Sequence, residues 1–293
     1  MSGLATTRRR LRSAETLQGV VTTMKTLASV RIVQYRRSVA ALRESTRTLE
    51  LAVQALLTVR PELLTAAPGR DAGTVALVVL GSDRGLAGPF NERMVRHAAG
   101  LLRDRVPAGE APSVLAVGRR LTARLRGAGF APDVQVSPPS SVEAIEDAVA
   151  EVLVHLDSWL LEGRAQRLYL AYNRPTRGAG YEPSALRILP VDERWLARLH
   201  ARPWPTDRLP VALGDGETLL RGLVRNFLAH ALVQAFAASQ ASENAARLAA
   251  MDAAERNVEE RLDQLRTEYR QARQNAVTAE LMDVQAAYLA VDR

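Results

Sequence analysis

The stretch LRSAETLQGVVTTMKTLASVRIVQYRRSVAALRESTRTLELAVQAL, residues 11–56, carries apolar or small side chains at Leu11, Ala14, Leu17, Val21, Met24, Ala28, Ile32, Tyr35, Val39, Leu42, Thr46, Leu49, Val53 and Leu56. Steps of three and four residues, held this long, predict a helix with a narrow apolar stripe, the pattern of a coiled coil. At about 1.5 Å per residue the helix is roughly 70 Å long, more than a small domain can cover. The proline positions extend the reading. All 14 prolines lie between Pro61 and Pro210, so the first 60 and the last 83 residues contain none. A proline inside a helix removes a donor and clashes with the preceding turn at a cost of about 3 kcal/mol, so both arms are free to run long.

The second arm supplies a partner for the first. After Asp215, which suits an N-cap, no glycine follows Gly222, and a stripe runs through Val258, Leu262, Leu265, Tyr269, Ala272, Ala276, Ala279 and Ala286. If the middle of the chain joins the arms at one end, the pairing is antiparallel, and the longer second helix, about 110 Å if fully helical, protrudes. Its end, residues 276–290, is slim and largely uncharged, with Leu281, Met282, Tyr288 and Leu289 suited to an apolar socket. The expected organisation is an N-terminal coiled-coil helix over 1–60, an α/β domain over 70–210 and a long C-terminal helix over 215–293.

Within the middle segment the period changes from helix to strand. TVALVVL at 74–80 reads as a buried strand, followed by a glycine-rich turn and a helix over 89–102. Further strands are predicted at 113–117, 167–172 and 185–189, with helices over 119–126 and from a capping box of Ser140 and Glu143 to about residue 156. Strands alternating with helices predict a mainly parallel, doubly wound, Rossmann-like sheet. The fold class is therefore α/β, with an antiparallel coiled coil of terminal helices flanking that domain.

Composition narrows the function. Aromatic residues make up 4% of the chain, cysteine is absent, and the net charge is +7. Lack of cysteine removes disulfide and thiolate chemistry. Residues 1–60 hold eleven basic and three acidic side chains, a balance of +8, so all of the excess lies on the first arm. That arm fits an acidic protein surface better than nucleic acid, because it lacks interleaved aromatics, zinc ligands and a recognition-helix unit. Residues 1–12, rich in Arg and free of acids, run straight into the heptads and read as mature sequence. The longest apolar runs fall far short of the roughly 20 residues needed to span a bilayer.

The turn GSDRGLAGPFN at 81–91 is the strongest local motif. Gly81, Gly85 and Gly88 do not spell GxGxxG, and no GxxxxGK[ST] occurs, so a structural turn built on Gly81, Asp83, Arg84, Gly85, Gly88 and Asn91 is preferred to a phosphate loop. His97, His155, His200 and His230 have no metal-ligand spacing, and Ser82 and Asp83 have no third member of a triad. No cofactor, metal or catalytic residue is expected.

With these strings in hand the chain resembles the gamma subunits of F-type ATP synthases. SDRGLAGPFN at 82–91, MKTLASVRI at 24–32, LAVGR at 115–119, YLAYNR at 169–174, SQASENAARLAAMDAAERN at 239–257 and YRQARQNAVTAELMDV at 269–284 carry the likeness over nearly the whole chain. The resemblance implies a non-catalytic rotor shaft. Its paired helices turn inside a hexamer of alpha and beta subunits, and its lower end meets an epsilon subunit and a membrane ring of c subunits. Nucleotide is bound by the other subunits, no nucleic acid is involved, and the complex sits peripherally on the cytoplasmic face of the bacterial plasma membrane. By the same resemblance Met24 and Lys25 lie opposite an acidic loop of beta, with Arg273, Gln274 and Thr278 on the facing part of the last helix. Leu17, Gly19, Val21 and Thr22, where the family commonly has polar or basic side chains, together with Pro89 and Arg270, imply a divergent branch such as the alternate bacterial ATPases. Two readings from other classes are a basic coiled-coil scaffold for acidic proteins or nucleic acid, and a nucleotide-dependent α/β enzyme.

Overall fold

The computed structural model describes residues 2–63, 73–176, 180–208 and 210–291. The chain runs in the order α1 (Ser2–Val59), β1 (Val75–Leu80), α2 (Phe90–Arg105), β2 (Ser113–Val117), α3 (Arg119–Gly127), β3 (Val134–Val136), α4 (Ile145–Leu161), β4 (Arg167–Pro175), β5 (Tyr181–Leu189), α5 (Glu193–His200) and α6 (Gly216–Val291). The two terminal helices hold 58 and 76 residues. Asp215 caps α6, its carboxylate accepting from the Thr218 amide at 2.8 Å and hydroxyl at 2.7 Å, and these bonds hold it below the usual carboxylate range.

Two compact units emerge, one of residues 30–246 and one of residues 1–29 with 247–293. The first contains the sheet, ordered β3-β2-β1-β4-β5. β1, β2, β3 and β4 are parallel and β5 closes the edge antiparallel to β4. On one face Val75, Leu77, Val79, Val114, Ala116 and Ala171 pack against Met94 and Leu102 of α2 and Leu121 and Leu125 of α3. On the other, Ala76, Val78, Leu80, Leu115 and Leu170 pack against α4, against Leu228–Ala241 of α6 and against Tyr35 of α1. β1 has all six residues buried, which is why it reads as an unbroken apolar run rather than an alternating one.

Several sequence-based expectations are revised. The last strand, Tyr181–Leu189, begins earlier than expected and is antiparallel. β3 and α5 were not anticipated. At three residues β3 is too short to show a period. The capping box does not form, and the N-cap of α4 is Ala144, with no side-chain cap. α4 begins at Ile145 and runs to Leu161, and it is the Ser141 hydroxyl, not Ser140, that accepts from the Ala144 amide at 3.4 Å. Glu143 bonds the same Ser141 side chain, which lowers its pKa.

Within this unit α1 and α6 run antiparallel. His230 Nε2 lies 2.8 Å from Thr46 Oγ1 and 3.1 Å from the Leu42 carbonyl, and Gln234 Nε2 donates to Thr46 Oγ1 at 2.8 Å. Burial lowers the His230 pKa, opposed by the hydrogen bond to Leu42. The base of the pair is packed by Val53, Leu56, Leu57, Leu63, Leu196 and Leu199.

Candidate functional site

The turn after β1 is built inward. Gly81 continues the sheet, donating to the Val117 carbonyl at 2.9 Å. A Cβ there would stand 2.5 Å from the Leu121 Cβ, so no side chain fits. Ser82 is fully buried and donates its amide to Asn91 Oδ1 at 3.0 Å, while Asn91 Nδ2 donates to Ser82 Oγ at 2.9 Å. Asp83 Oδ1 accepts from the Arg119 amide at 2.6 Å, and Asp83 Oδ2 lies 3.4 Å from Arg119 Nε. The aspartate thus holds the first turn of α3, whose free amides favour an anion. Gly85 lies under the Arg120 guanidinium and Gly88 has φ +54°. Arg84 is exposed, close enough to Tyr35 to act on its hydroxyl electrostatically.

Gly118, just after β2, completes the arrangement. Its φ is +109°, and an added Cβ would stand 2.8–2.9 Å from the Ser82 backbone. The amide of Asn91, the carboxylate of Asp83 and the backbone of Ser82 all bond or press against neighbouring protein.

Over the carboxyl end of the sheet passes the polar segment of α6. Ser239, Gln240, Ser242, Glu243 and Asn244 are all buried. Ser242 Oγ donates to the Asn173 carbonyl at 3.0 Å. Ala246 packs with Ala87 and Phe90, and Phe90 meets Tyr181 with ring centroids 5.4 Å apart. The crevice where open α/β sheets usually receive ligands is filled here by the chain's own helix.

In the second unit, Lys25 Nζ bridges α1 to α6, 2.7 Å from Asp252 Oδ1 and 2.8 Å from Glu255 Oε2. The Thr22 hydroxyl donates to the other oxygen of Glu255 at 3.3 Å. Asp252 and then Glu255 raise the Lys25 pKa, and Lys25 lowers that of Glu255. Lys25, expected opposite an acidic loop of beta, is thus already paired with two acids of its own chain. Lys25 is half-buried beside Met24, which is itself half-buried. The stripe shifts as well, because Leu17 is 51% exposed and Gln18 takes the inner position. Sequence spacing alone could not separate neighbouring positions of a helix whose apolar residues occur on both sides of the seam.

Along α6 the seam continues through Val258, Leu262 and Leu265, then thins to Tyr269, Ala272 and Ala276. Arg273, Gln274 and Thr278 are exposed. The Thr278 hydroxyl donates to the Gln274 carbonyl at 3.0 Å. The part of α6 facing Lys25 is Asp252 and Glu255, and Arg273 stands about 27 Å beyond Glu255 at 1.5 Å per residue, so Arg273, Gln274 and Thr278 lie at a different level of the shaft from Met24 and Lys25. Val277, Leu281 and Met282 are 50%, 64% and 62% exposed. The side chains of Ala286, Tyr288 and Leu289 lie outside the described residues. Asp252 and Glu255 escaped the sequence reading. Their signal was three-residue spacing on one face of α6, legible only once Lys25 is placed opposite.

Among the described residues no three His, Asp or Glu side chains converge as a metal site requires, and no helix is long and apolar enough to cross a membrane.

Residues 3–291 match the family described as ATP synthase. The chain is 29% identical over 298 residues to an ATP synthase gamma chain of Moorella thermoacetica, covering 98% of both chains. It is 31% identical over 290 residues to that of Frankia casuarinae, covering 94% of each. Among solved structures it is similar to a chain of the Euglena gracilis mitochondrial ATP synthase in an OSCP/F1/c-ring assembly, with TM-score 0.66, 20% identity, and 99% and 95% of the two chains covered. A chain from the rotor of the same enzyme matches with TM-score 0.62, 19% identity, and coverage of 94% and 99%.

Proposed function

The chain belongs to the ATP synthase gamma-chain family, and we propose from that membership that it is the central shaft of an F-type ATP synthase, turning inside the alpha and beta hexamer to couple ion translocation to ATP synthesis or hydrolysis. The observation that carries the reading is the antiparallel pairing of two helices of 58 and 76 residues, with Lys25 against Asp252 and Glu255 in one unit and Thr46 against His230 in the other. Continuous backbone hydrogen bonding makes a helix stiff along its axis, and a second helix resists its bending. The chain itself is non-catalytic. Its glycine-rich turn supports α3 through Asp83, and its sheet crevice is filled by α6, so nucleotide chemistry falls to the partner subunits.

The parts have separate roles. Residues 1–60 and 215–293 form the shaft, and residues 70–210 form the domain that meets the epsilon subunit and the membrane c-ring. The complex lies peripherally on the cytoplasmic face of the bacterial plasma membrane. Arg273 and Gln274, exposed and bonded through their side chains to no other described residue, are the contacts best suited to the surrounding hexamer, together with Thr278 and Met24. Lys25 serves first as an intrachain clamp, and its acidic neighbours make it a poorer partner for an acidic loop than its charge suggests. Epitope-tagged chain purified from its host in mild detergent tests the reading. Recovery with alpha, beta and epsilon subunits and ATPase activity is expected. Recovery alone, or with nucleic acid, would replace it with the basic scaffold.

A further inference from the structure

In the order β3-β2-β1-β4-β5 the chain reverses direction across the sheet between β1 and β4, and Asn173 stands near the carboxyl end of β4 at that reversal. It is 0% exposed, and neither Oδ1 nor Nδ2 has a hydrogen-bond partner among the described residues. Its surroundings make this conspicuous. Asn91, another buried amide at this end of the sheet, is bonded through both ends to Ser82. The Asn173 carbonyl is served too. Pro183, opposite it on β5, has no N–H to offer, and the Ser242 hydroxyl of α6 donates instead at 3.0 Å. Only the Asn173 side chain is left, with an acceptor oxygen and a two-donor nitrogen both enclosed by protein. Buried polar groups are nearly always paired, and where protein offers no partner an ordered water with two to four bonds takes the place.

We infer that the Asn173 amide holds a buried water molecule, which with the Ser242 hydrogen bond fastens β4 to the polar segment of α6. The site is independent of the nucleotide question, since its ligand is water and its occupants are the sheet and the helix of the same chain. It gives the long helix a directional attachment to the domain, where apolar packing alone would let it slide or rotate.

A structure of the assembled complex at better than about 1.8 Å tests the water directly. Density within 2.7–3.2 Å of the Asn173 Oδ1 or Nδ2 is expected, and an enclosed amide with no density nearby overturns the proposal. Stability of the full chain gives a second, separate reading. Asn173→Leu, close in shape, should lower the unfolding midpoint by a few degrees and speed hydrogen exchange over residues 236–246, and Asn173→Ser should recover part of the loss because its hydroxyl still binds water. Were the amide truly orphaned, removing it would leave the midpoint unchanged or raise it, and that result refutes the bound water. If Asn173→Leu does not fold, Asn173→Ser against Ser242→Ala decides. Faster exchange in both is expected, and exchange unchanged in Asn173→Ser with no density overturns the fastening.

Discussion

Gly118→Ala should unfold the α/β unit far more easily than its one added methyl group suggests. The backbone there has φ +109° and ψ 126°, a region that a residue with a Cβ occupies at a cost of about 1–3 kcal/mol. The new Cβ would also stand 2.8–2.9 Å from three backbone atoms of Ser82. Backbone cannot swing away as a side-chain tip can. Relief therefore requires moving Ser82, which strains its bonds with Asn91 and the Asp83 cap on Arg119. The combined loss is about 3–5 kcal/mol, the range of severe single substitutions. Gly100→Ala is the matched control. Gly100 lies inside α2 with nothing within 4 Å of its added Cβ, so it should gain up to about 1 kcal/mol in helix propensity. Thermal unfolding followed by circular dichroism should place the two variants on opposite sides of the parent, with Gly118→Ala lower by roughly 10 °C at about 2–4 °C per kcal/mol. A Gly118→Ala midpoint within a degree of the parent would refute the reasoning. Nucleotide binding by the free chain would then return the glycine turn to a phosphate-binding role.

Other consequences follow from single contacts. Lys25→Glu should loosen the 1–29 and 247–293 unit, measured by protease susceptibility, and the added changes Asp252→Lys and Glu255→Lys should restore it; no recovery would mean the ion pairs do not set the pairing. Because Lys25 depresses the Glu255 pKa, this contribution is fully present above the unfolded value of 4.5 and fades as pH falls below it, a trend that Glu255→Gln should abolish. His230 is likewise depressed below 6.5, by burial, so the neutral ring is favoured. The stability it permits is present above pH 6.5 and lost below, and acid titration of His230→Gln should show a flatter curve. Arg273→Ala with Gln274→Ala should leave the fold intact, since both are exposed, but weaken assembly or coupling. Unchanged ATP synthesis with normal complex yield would remove them from the contact surface.

The parts legible in the sequence were those whose physics is local and repetitive. Freedom from proline and a sustained stripe announced α1 and α6, and the unbroken apolar run of β1 announced a strand covered on both faces. What stayed hidden depended on contacts between distant segments. Gln18 displaces Leu17 because the seam is chosen by where α6 lies, not by which residue is more apolar. The intrachain partners of Lys25 were missed because Asp252 and Glu255 lie more than 220 residues away in sequence. The edge strand β5 mixes half-buried and exposed positions, since an edge is covered on one side only, and its alternation is too weak to give its length or direction.

The family resemblance pointed to the shaft, but the structure supplies an independent physical reason for an enclosing partner. In the unit of residues 1–29 and 247–293, the buried hydrophobic side chains among the described residues are Val21, Ala28, Met251, Val258, Leu262 and Leu265. Helices owe most of their stability to packing of an apolar face, and this face is narrow. Leu17, Val20 and Leu27 on α1, with Val277, Leu281, Met282 and Val284 on α6, remain 46–64% exposed. The sheet unit also leaves apolar side chains such as Leu161 and Leu213 at its surface, but each face of its sheet is covered by helices and supplies a broad core of its own. Two slender helices with apolar side chains turned outward gain stability when a surrounding surface covers those side chains. A surface that fits every orientation loosely, rather than one orientation tightly, is also the one that lets them turn.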